Sequence, residues 1–565
     1  MKRFRAAIVL LLGLTLIVGV PVASAKPPPG KADKAKTTEI QILALNDFHG
    51  QLRPPDSTSS GGRIGATPAG GAEFLASYVR DLRATNTNTL FVSAGDLIGA
   101  TPLISAIFHD EPTIEAMNLI GLDYNGVGNH EFDEGPEELV RMQEGGCHPD
   151  EGCFGGDGFE GANFDFLAAN VTYKDSGETI FPPYAIHEFP GVNIAIVGMT
   201  LEGTPGIVTA AATENLDFHD EADSVNALVP ELKEQGIETI IVLLHEGGSP
   251  GAALNESTYN SCVNPTGPAV DVIKRFDSEI DLVVTGHTNW ALNCADLAGT
   301  GIMVTGAASA GRLVTDIDLK VSRATKEVVE ASINNVIVRR DDKPPAADIT
   351  ALINHYGEIA APIENRVLGT ASAALTRTQN ALGESSLGDI IADAQLWATS
   401  GPDWPAANGA PAVVSFMNSG GIRADINEGE ITYGEAFSVQ PFANVLVTMD
   451  MTGAQIEALL EQQFTGGNGI LQIPASLTYD RCNTLPACTG NRVQNVRING
   501  VLLDPAVTYR VTVNNFLADG GDGYSTFTQG TNRFVGEIDL DAFARYIEFL
   551  GTVNPGPQNR ITLVP

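Results

Sequence analysis

Between residues 40 and 340 short, almost wholly apolar runs alternate with turn-rich and helical stretches. The runs cover residues 40–45, 90–93, 166–171, 192–197, 239–244, 280–285 and 301–305. A strand with one wet face alternates apolar and polar residues. Unbroken apolar runs instead predict strands covered on both faces, and so an α/β layered arrangement up to about Arg340. Asp341-Asp342-Lys343-Pro344-Pro345 interrupts the pattern. Beyond it Ile349, Leu352, Ile353, Tyr356, Ile359 and Ile363 fall at helical spacing, with Pro362 expected to disturb the helix end. The expected organisation is a first domain over 39–340, a bridging helix or hinge over 341–366, and a mixed α+β domain over 367–565. No internal repeat is visible.

The polar residues that matter sit where apolar runs stop. The run 40–45 leads into Asn46-Asp47-Phe48-His49-Gly50, and the run 90–93 into Gly95-Asp96. Residues 125–127 lead into Gly128-Asn129-His130-Glu131-Phe132-Asp133. His245-Glu246-Gly247-Gly248 and Gly286-His287-Thr288-Asn289 follow the later runs. In open α/β sheets ligands bind beyond the carboxyl ends of the strands, so parallel strands would gather these five clusters at one rim. Four of the nine histidines in the chain lie in them. Carboxylates, an amide oxygen and several imidazoles suit Zn, Mn, Co or Fe rather than a thiolate site or an all-oxygen calcium site. Asp47 and His49, two apart, are expected on one side of an extended segment. Asp96 is central enough to bridge two cations, and two cations roughly 4 Å apart can clamp a phosphoryl group.

These motifs resemble those of calcineurin-like metallophosphoesterases, and in the versions NDFHG, SAGDLIGATP, GNHEFDEG and VTGHTN they are similar to the 5'-nucleotidase family. Ser386-Leu387-Gly388-Asp389 resembles that family's helix-start motif. Asn418-Ser419-Gly420-Gly421-Ile422-Arg423, Gln440-Pro441-Phe442-Ala443-Asn444 and the segment from Asn515 to Tyr524 resemble its nucleotide-binding motifs. The resemblance implies a four-layer α/β/β/α metallophosphoesterase sandwich followed by a nucleotide-binding α+β domain. It implies two divalent ions: one held by Asp47, His49, Asp96 and Asn289, the other by Asp96, Asn129, His245 and His287. His130 with Asp133 would be the catalytic dyad, and metal-bound water the nucleophile. Phe442 and Phe516 would sandwich the base, and Asp522 would accept ribose hydroxyls. Asn418 and Asn444 would lie near base and ribose, and Arg423 and Arg377 would face phosphate. A domain rotation hinged in 341–366 is also implied. Ala443 and Ser419 replace glycines common in these motifs, so altered loop geometry is expected there.

The implied activity is hydrolysis of nucleoside 5'-phosphates. UDP-sugar hydrolysis and 2',3'-cyclic-nucleotide cleavage are alternatives on the same site, and a non-catalytic nucleotide-binding surface protein is a more distant one. Composition narrows the partners. With 33 basic and 69 acidic residues the net charge is −36. Such acidity disfavours nucleic acid as a partner, whereas a small nucleotide needs only local positive charge. Lys2, Arg3 and Arg5, the apolar run 6–20 and Ala23-Ser24-Ala25 have the form of a secretory leader over 1–25, followed by a Pro/Lys-rich linker over 26–38. No other stretch has the length and apolarity of a spanning helix, so no stable membrane insertion is expected. An exported chain with six cysteines favours disulfides, and the simplest local pairing is 147–153, 262–294 and 482–488. No pattern sets an oligomeric state.

Overall fold

The structure, a computed structural model, describes residues 36–55, 64, 67–154, 158–251, 257–401, 404–405, 408–465, 469–482 and 491–564. The leader expected over 1–25 lies outside these residues. The first strand, Thr37–Leu45, begins inside the span expected to be linker, because Thr37 and Thr38 already pair with Ser322 and Val321.

Two six-stranded sheets form the first domain. One runs in the order Val328–Ile337, Leu313–Ser322, Thr37–Leu45, Thr89–Ser93, Tyr124–Gly126, Asp165–Leu167, and its last four strands are parallel. The other runs Ala291–Cys294, Met303–Ala307, Leu282–Thr285, Thr239–His245, Val192–Thr200, Tyr184–Phe189, with the central four parallel. Alternate residues of each strand explain the unbroken apolar runs. Ile40, Ile42, Leu90 and Val92 of the first sheet pack against Ile194, Ile196, Ile241, Leu243 and Val284 of the second. The opposite face of the first sheet, with Leu43, Leu45 and Phe91, meets helices Ala72–Arg83 and Glu111–Ile120 through Leu75, Val79, Ile114 and Met117. That of the second, with Ala195, Val197, Val242 and Leu244, meets Val225, Val229 and Leu232 of helix Glu221–Glu234. The result is four layers, α/β/β/α.

Helix Ala347–Glu364 buries Ile349, Ile353, Tyr356 and Ala360 in the same core as the first sheet's helices. Pro362 lies inside its last turn, and the helix stops two residues later. An ion pair between Arg53 and Glu364 (2.5 Å) ties its end to the loop after the first strand. The second domain holds one three-stranded and two four-stranded sheets. Its cores lie around Val447, Met449, Leu459, Tyr479 and Val511, and around Leu387, Ile391, Phe543 and Ile547. Cys147–Cys153 and Cys262–Cys294 are bonded as the local pairing anticipates. Cys482 is also disulfide-bonded, and its expected partner Cys488 lies outside the described residues. Among the described residues no helix is long and apolar enough to cross a membrane.

Candidate active site

The five polar clusters meet, but they come from two sheets: three follow strands of the first and two follow strands of the second. Asn46 joins the sheets. Its side-chain oxygen accepts the Ala307 N–H (2.6 Å), and its amide nitrogen donates to the Ala308 carbonyl (2.7 Å) and to Asp47. The Asp47 N–H donates to the Gly95 carbonyl (3.0 Å), and His245 Nδ1 donates to the Ala94 carbonyl (2.6 Å). Gly95 has φ +86°, and a Cβ there would lie 2.6 Å from both Gly128 N and His245 Nδ1, so only glycine lets these strand ends come so close.

Asp47 and His49 are not on an extended segment. Both are left-handed (φ 49° each), as are Asp96 (52°), His287 (66°) and Asn289 (56°). Left-handed backbone at non-glycine residues costs on the order of 1–3 kcal/mol each and persists only where the surroundings enforce it. Here it bends five of the seven expected metal ligands off the strand direction.

Two groups of ligating atoms share Asp96: His49, Asp96 and His130 form one, and Asp96, His245 and His287 the other. His245 Nε2 lies 3.1 Å from Asp96 Oδ2 and 3.2 Å from Asn129 Oδ1, and His287 Nδ1 lies 2.9 Å from the same Asn129 oxygen. Asn289 reaches Asp47 through its amide nitrogen, at 3.5 Å. His49 donates Nδ1–H to the Gly99 carbonyl (2.9 Å), which leaves Nε2 buried, without a hydrogen-bond partner, 3.7 Å from Asp96 Oδ2. An orphaned imidazole nitrogen beside a carboxylate that a second imidazole also approaches is a donor set that suits divalent cations.

Without a cation the charges at the site pull both ways: burial lowers His245, but the charge of Asp96 outweighs it and the imidazole is pushed up to about 10. Burial pushes the Asp47 carboxyl up to about 7, aided by the charge of Asp96. Burial works to raise Asp96 too, but the imidazoles of His245, His130 and His49 hold it well below the usual carboxylate range. Burial pushes His49 down to about 3 and His287 down to about 4, so each ring stays neutral and keeps one nitrogen lone pair, as ligation requires.

His130 Nδ1 and Asp133 Oδ2, the pair expected to act as a dyad, are 2.8 Å apart. A cavity of about 260 Å³ is lined by Asn129, His130, Asp133 and His287 from the first domain and by Asn418, Arg423, Phe442, Asn444, Phe516 and Asp522 from the second. Asn418 donates to Asp522 (2.9 Å), and the buried Asn444 Oδ1 has no partner. The far end of the Phe516 ring packs against Gly521, where a Cβ would meet it at about 2.5 Å. Arg377, expected to face phosphate, also holds its own neighbourhood. Its guanidinium donates to the carbonyls of Ile422 (3.0 Å) and Arg423 (2.8 Å), so it braces the Arg423 loop while lining a neighbouring cavity.

Ala443 keeps the left-handed conformation, with φ 50°. That conformation costs a residue with a Cβ more than it costs glycine, so the loop is strained here. Ala443→Gly should raise the thermal midpoint, with a gain of about 0.5–1 kcal/mol. A lowered midpoint would contradict the strain. Ser419 sits in a short 3-10 turn, Ser419–Gly421.

Sequence reasoning gave Glu131 no role. Its buried carboxylate accepts the backbone N–H groups of Asp96 (2.9 Å), Leu97 (2.8 Å) and Gly128 (2.7 Å), clamping two ligand loops together. Its place inside GNHE was the only signal, and that signal carried no role.

A sheet sandwich with such a centre at its strand ends defines the class of metal-dependent phosphoester hydrolases. The calcineurin-like phosphoesterase profile matches residues 40–290, and the 5'-nucleotidase C-terminal domain profile matches residues 367–529. The chain is 32% identical to Endonuclease YhcR of Bacillus subtilis over 90% of its own length, but spans only 39% of that protein. It is 30% identical to Cell wall protein Lmo0130 of Listeria monocytogenes over 94% of its length and 70% of the relative. The crystal structure of a 5'-nucleotidase precursor from Thermus thermophilus superimposes with a TM-score of 0.74 at 26% identity, covering 93% of this chain and 99% of that one. The chain belongs to the family that joins a calcineurin-like phosphoesterase domain to a 5'-nucleotidase C-terminal domain.

Proposed function

We propose that the protein is an exported 5'-nucleotidase with a two-metal centre, converting a nucleoside 5'-monophosphate and water to nucleoside and phosphate. One observation carries this reading: the aromatic cavity holding Phe442 and Phe516 is also lined by Asn129, His130, Asp133 and His287. A base held between aromatics there has its 5'-phosphate beside the ligand cluster. Two divalent ions held by Asp47, His49, Asp96, Asn129, His245, His287 and Asn289 would polarise the phosphoryl oxygens and activate water. The chain's own residues do the rest. Asp133 occupies His130 Nδ1, so Nε2 remains to donate to a phosphoryl oxygen as charge grows on it. Arg423 adds a fixed positive charge, Asp522 accepts ribose hydroxyls, and Asn444 Oδ1 is a ready acceptor for a base N–H. Export is supported by the leader pattern, the disulfides and the cell-wall name of one relative.

A second reading, cleavage of nucleotide sugars or cyclic and other diesters, draws on one further observation. A cavity of about 580 Å³ lies beside Asp47, His49 and Asn289 and is lined by Arg53, Arg312, Arg377 and Arg423. It offers room and positive charge for a second substituent on phosphorus. The products tell the two readings apart when AMP, UMP, ATP, UDP-glucose and 2',3'-cAMP are tested with Zn, Mn, Co or a chelator. Free phosphate from the monophosphates supports the first, and UMP with glucose 1-phosphate, or a nucleoside monophosphate from the cyclic diester, supports the second. Phosphate release from AMP and UMP that the chelator abolishes is expected, and no product of either kind from any compound would sink both. Phe516→Ala should raise KM for AMP about tenfold, as loss of one stacking partner implies, with a smaller change for p-nitrophenyl phosphate. Equal changes would argue against stacking.

A further inference from the structure

We propose that Phe442 is a positioning residue for the His130 imidazole, in addition to serving as a base platform; this rests on the phosphohydrolase reading above. Three groups surround the His130 ring. Asp133 bonds Nδ1 at 2.8 Å, and the His49 ring meets it edge-on with centroids 5.1 Å apart and planes at 74°. Phe442 lies against its face, with centroids 5.6 Å apart and planes within 14° of parallel, an offset stack. A single hydrogen bond at one nitrogen leaves an imidazole free to tilt. The stacked phenyl ring restrains that tilt, and with it the direction of Nε2.

This restraint crosses between the domains. Asp133 and His49 belong to the same domain as His130, whereas Phe442 comes from the second domain. The loop that carries it is fastened on both sides. Gln440 donates through its side-chain amide to Asp539 Oδ2 (3.1 Å), and the Asp539 N–H donates to the Asn444 carbonyl (2.7 Å). Asp539 is buried at the start of helix Asp539–Leu550, so the helix end sets where the loop lies. The Arg423 guanidinium carbon lies 5.7 Å from the same ring's centroid, placing the Phe442 ring beside a second group that faces phosphate. The catalytic imidazole is therefore fully held only when the two domains are arranged as here, and Phe442 reports that arrangement to the dyad.

Ribose 5-phosphate, which has no base to stack, isolates this role from base binding. With metal-loaded, full-length protein, Phe442→Ala should lower kcat on ribose 5-phosphate roughly tenfold or more with little change in KM, as expected for a misaligned catalytic group. Phe442→Tyr and Phe442→Trp should restore it. Asp539→Ala, far from the substrate, should give a smaller loss of the same kind. Asp539→Asn, which keeps an acceptor for Gln440, should not. Independently of turnover, the His130 ring resonances of 13C-histidine-labelled protein should lose their ring-current shift in Phe442→Ala. Wild-type kcat on ribose 5-phosphate in Phe442→Ala, or unmoved His130 resonances, would overturn the proposal. No phosphate release from any substrate by the wild type would overturn the phosphohydrolase reading instead.

Discussion

Asp96→Asn is expected to leave a folded protein that binds fewer divalent ions and releases phosphate at least about a hundredfold more slowly. Asp96 belongs to both groups of ligating atoms, and three imidazoles lean on its charge. The substitution keeps the shape and removes the charge. Its Oδ1 also accepts the His130 N–H (3.0 Å), so the same side chain seats the first residue of the dyad. Loss of one electrostatic stabiliser commonly costs about 10²–10³ in rate, and this residue serves two cation sites and one backbone anchor. Metal content per chain, measured with the activity, is the check. Two ions bound and undiminished turnover would remove Asp96 from the bridging position.

Glu131→Gln should be nearly as damaging and should also destabilise the fold. Three backbone N–H groups converge on one buried carboxylate. Burial pushes that carboxyl up to about 7, while those donors favour its ionised form. An amide offers a single oxygen and turns an NH₂ toward remaining N–H donors, leaving buried donors unpaired at about 1–3 kcal/mol each. A loss of about 3–5 kcal/mol is expected in thermal unfolding of the metal-free protein, with phosphate release reduced at least about tenfold as loops 95–97 and 128–130 separate. An unchanged midpoint together with unchanged activity would show that these loops hold themselves.

Most of the layered fold was legible because burial on both faces writes itself as unbroken apolar runs. The ligand residues were legible because each followed such a run. Two things were not. Leu43 and Ile42 read alike, yet one faces helices and the other faces the second sheet, so the division of strands between sheets could not be deduced from periodicity. Residues that act through the backbone were hidden as well. Glu131 clamps amides that carry no side-chain signature, and Arg377 holds two backbone carbonyls. The left-handed turn at Asp47 and His49 likewise depends on packing across the sheets, which a two-residue spacing does not encode.

Drawing its ligands from both sheets also places the centre late in folding. Asp47 and Asn289 are 242 positions apart. No local segment gathers more than two or three of the donors, so no cation can nucleate the site as it does in a small zinc module. Long-range parallel pairing must come first, and such pairing is slow. The order of events then runs from chain collapse to sandwich to ion uptake. A chelator should strip the finished protein without unravelling it, and refolding should pass through a metal-free sandwich already competent to load.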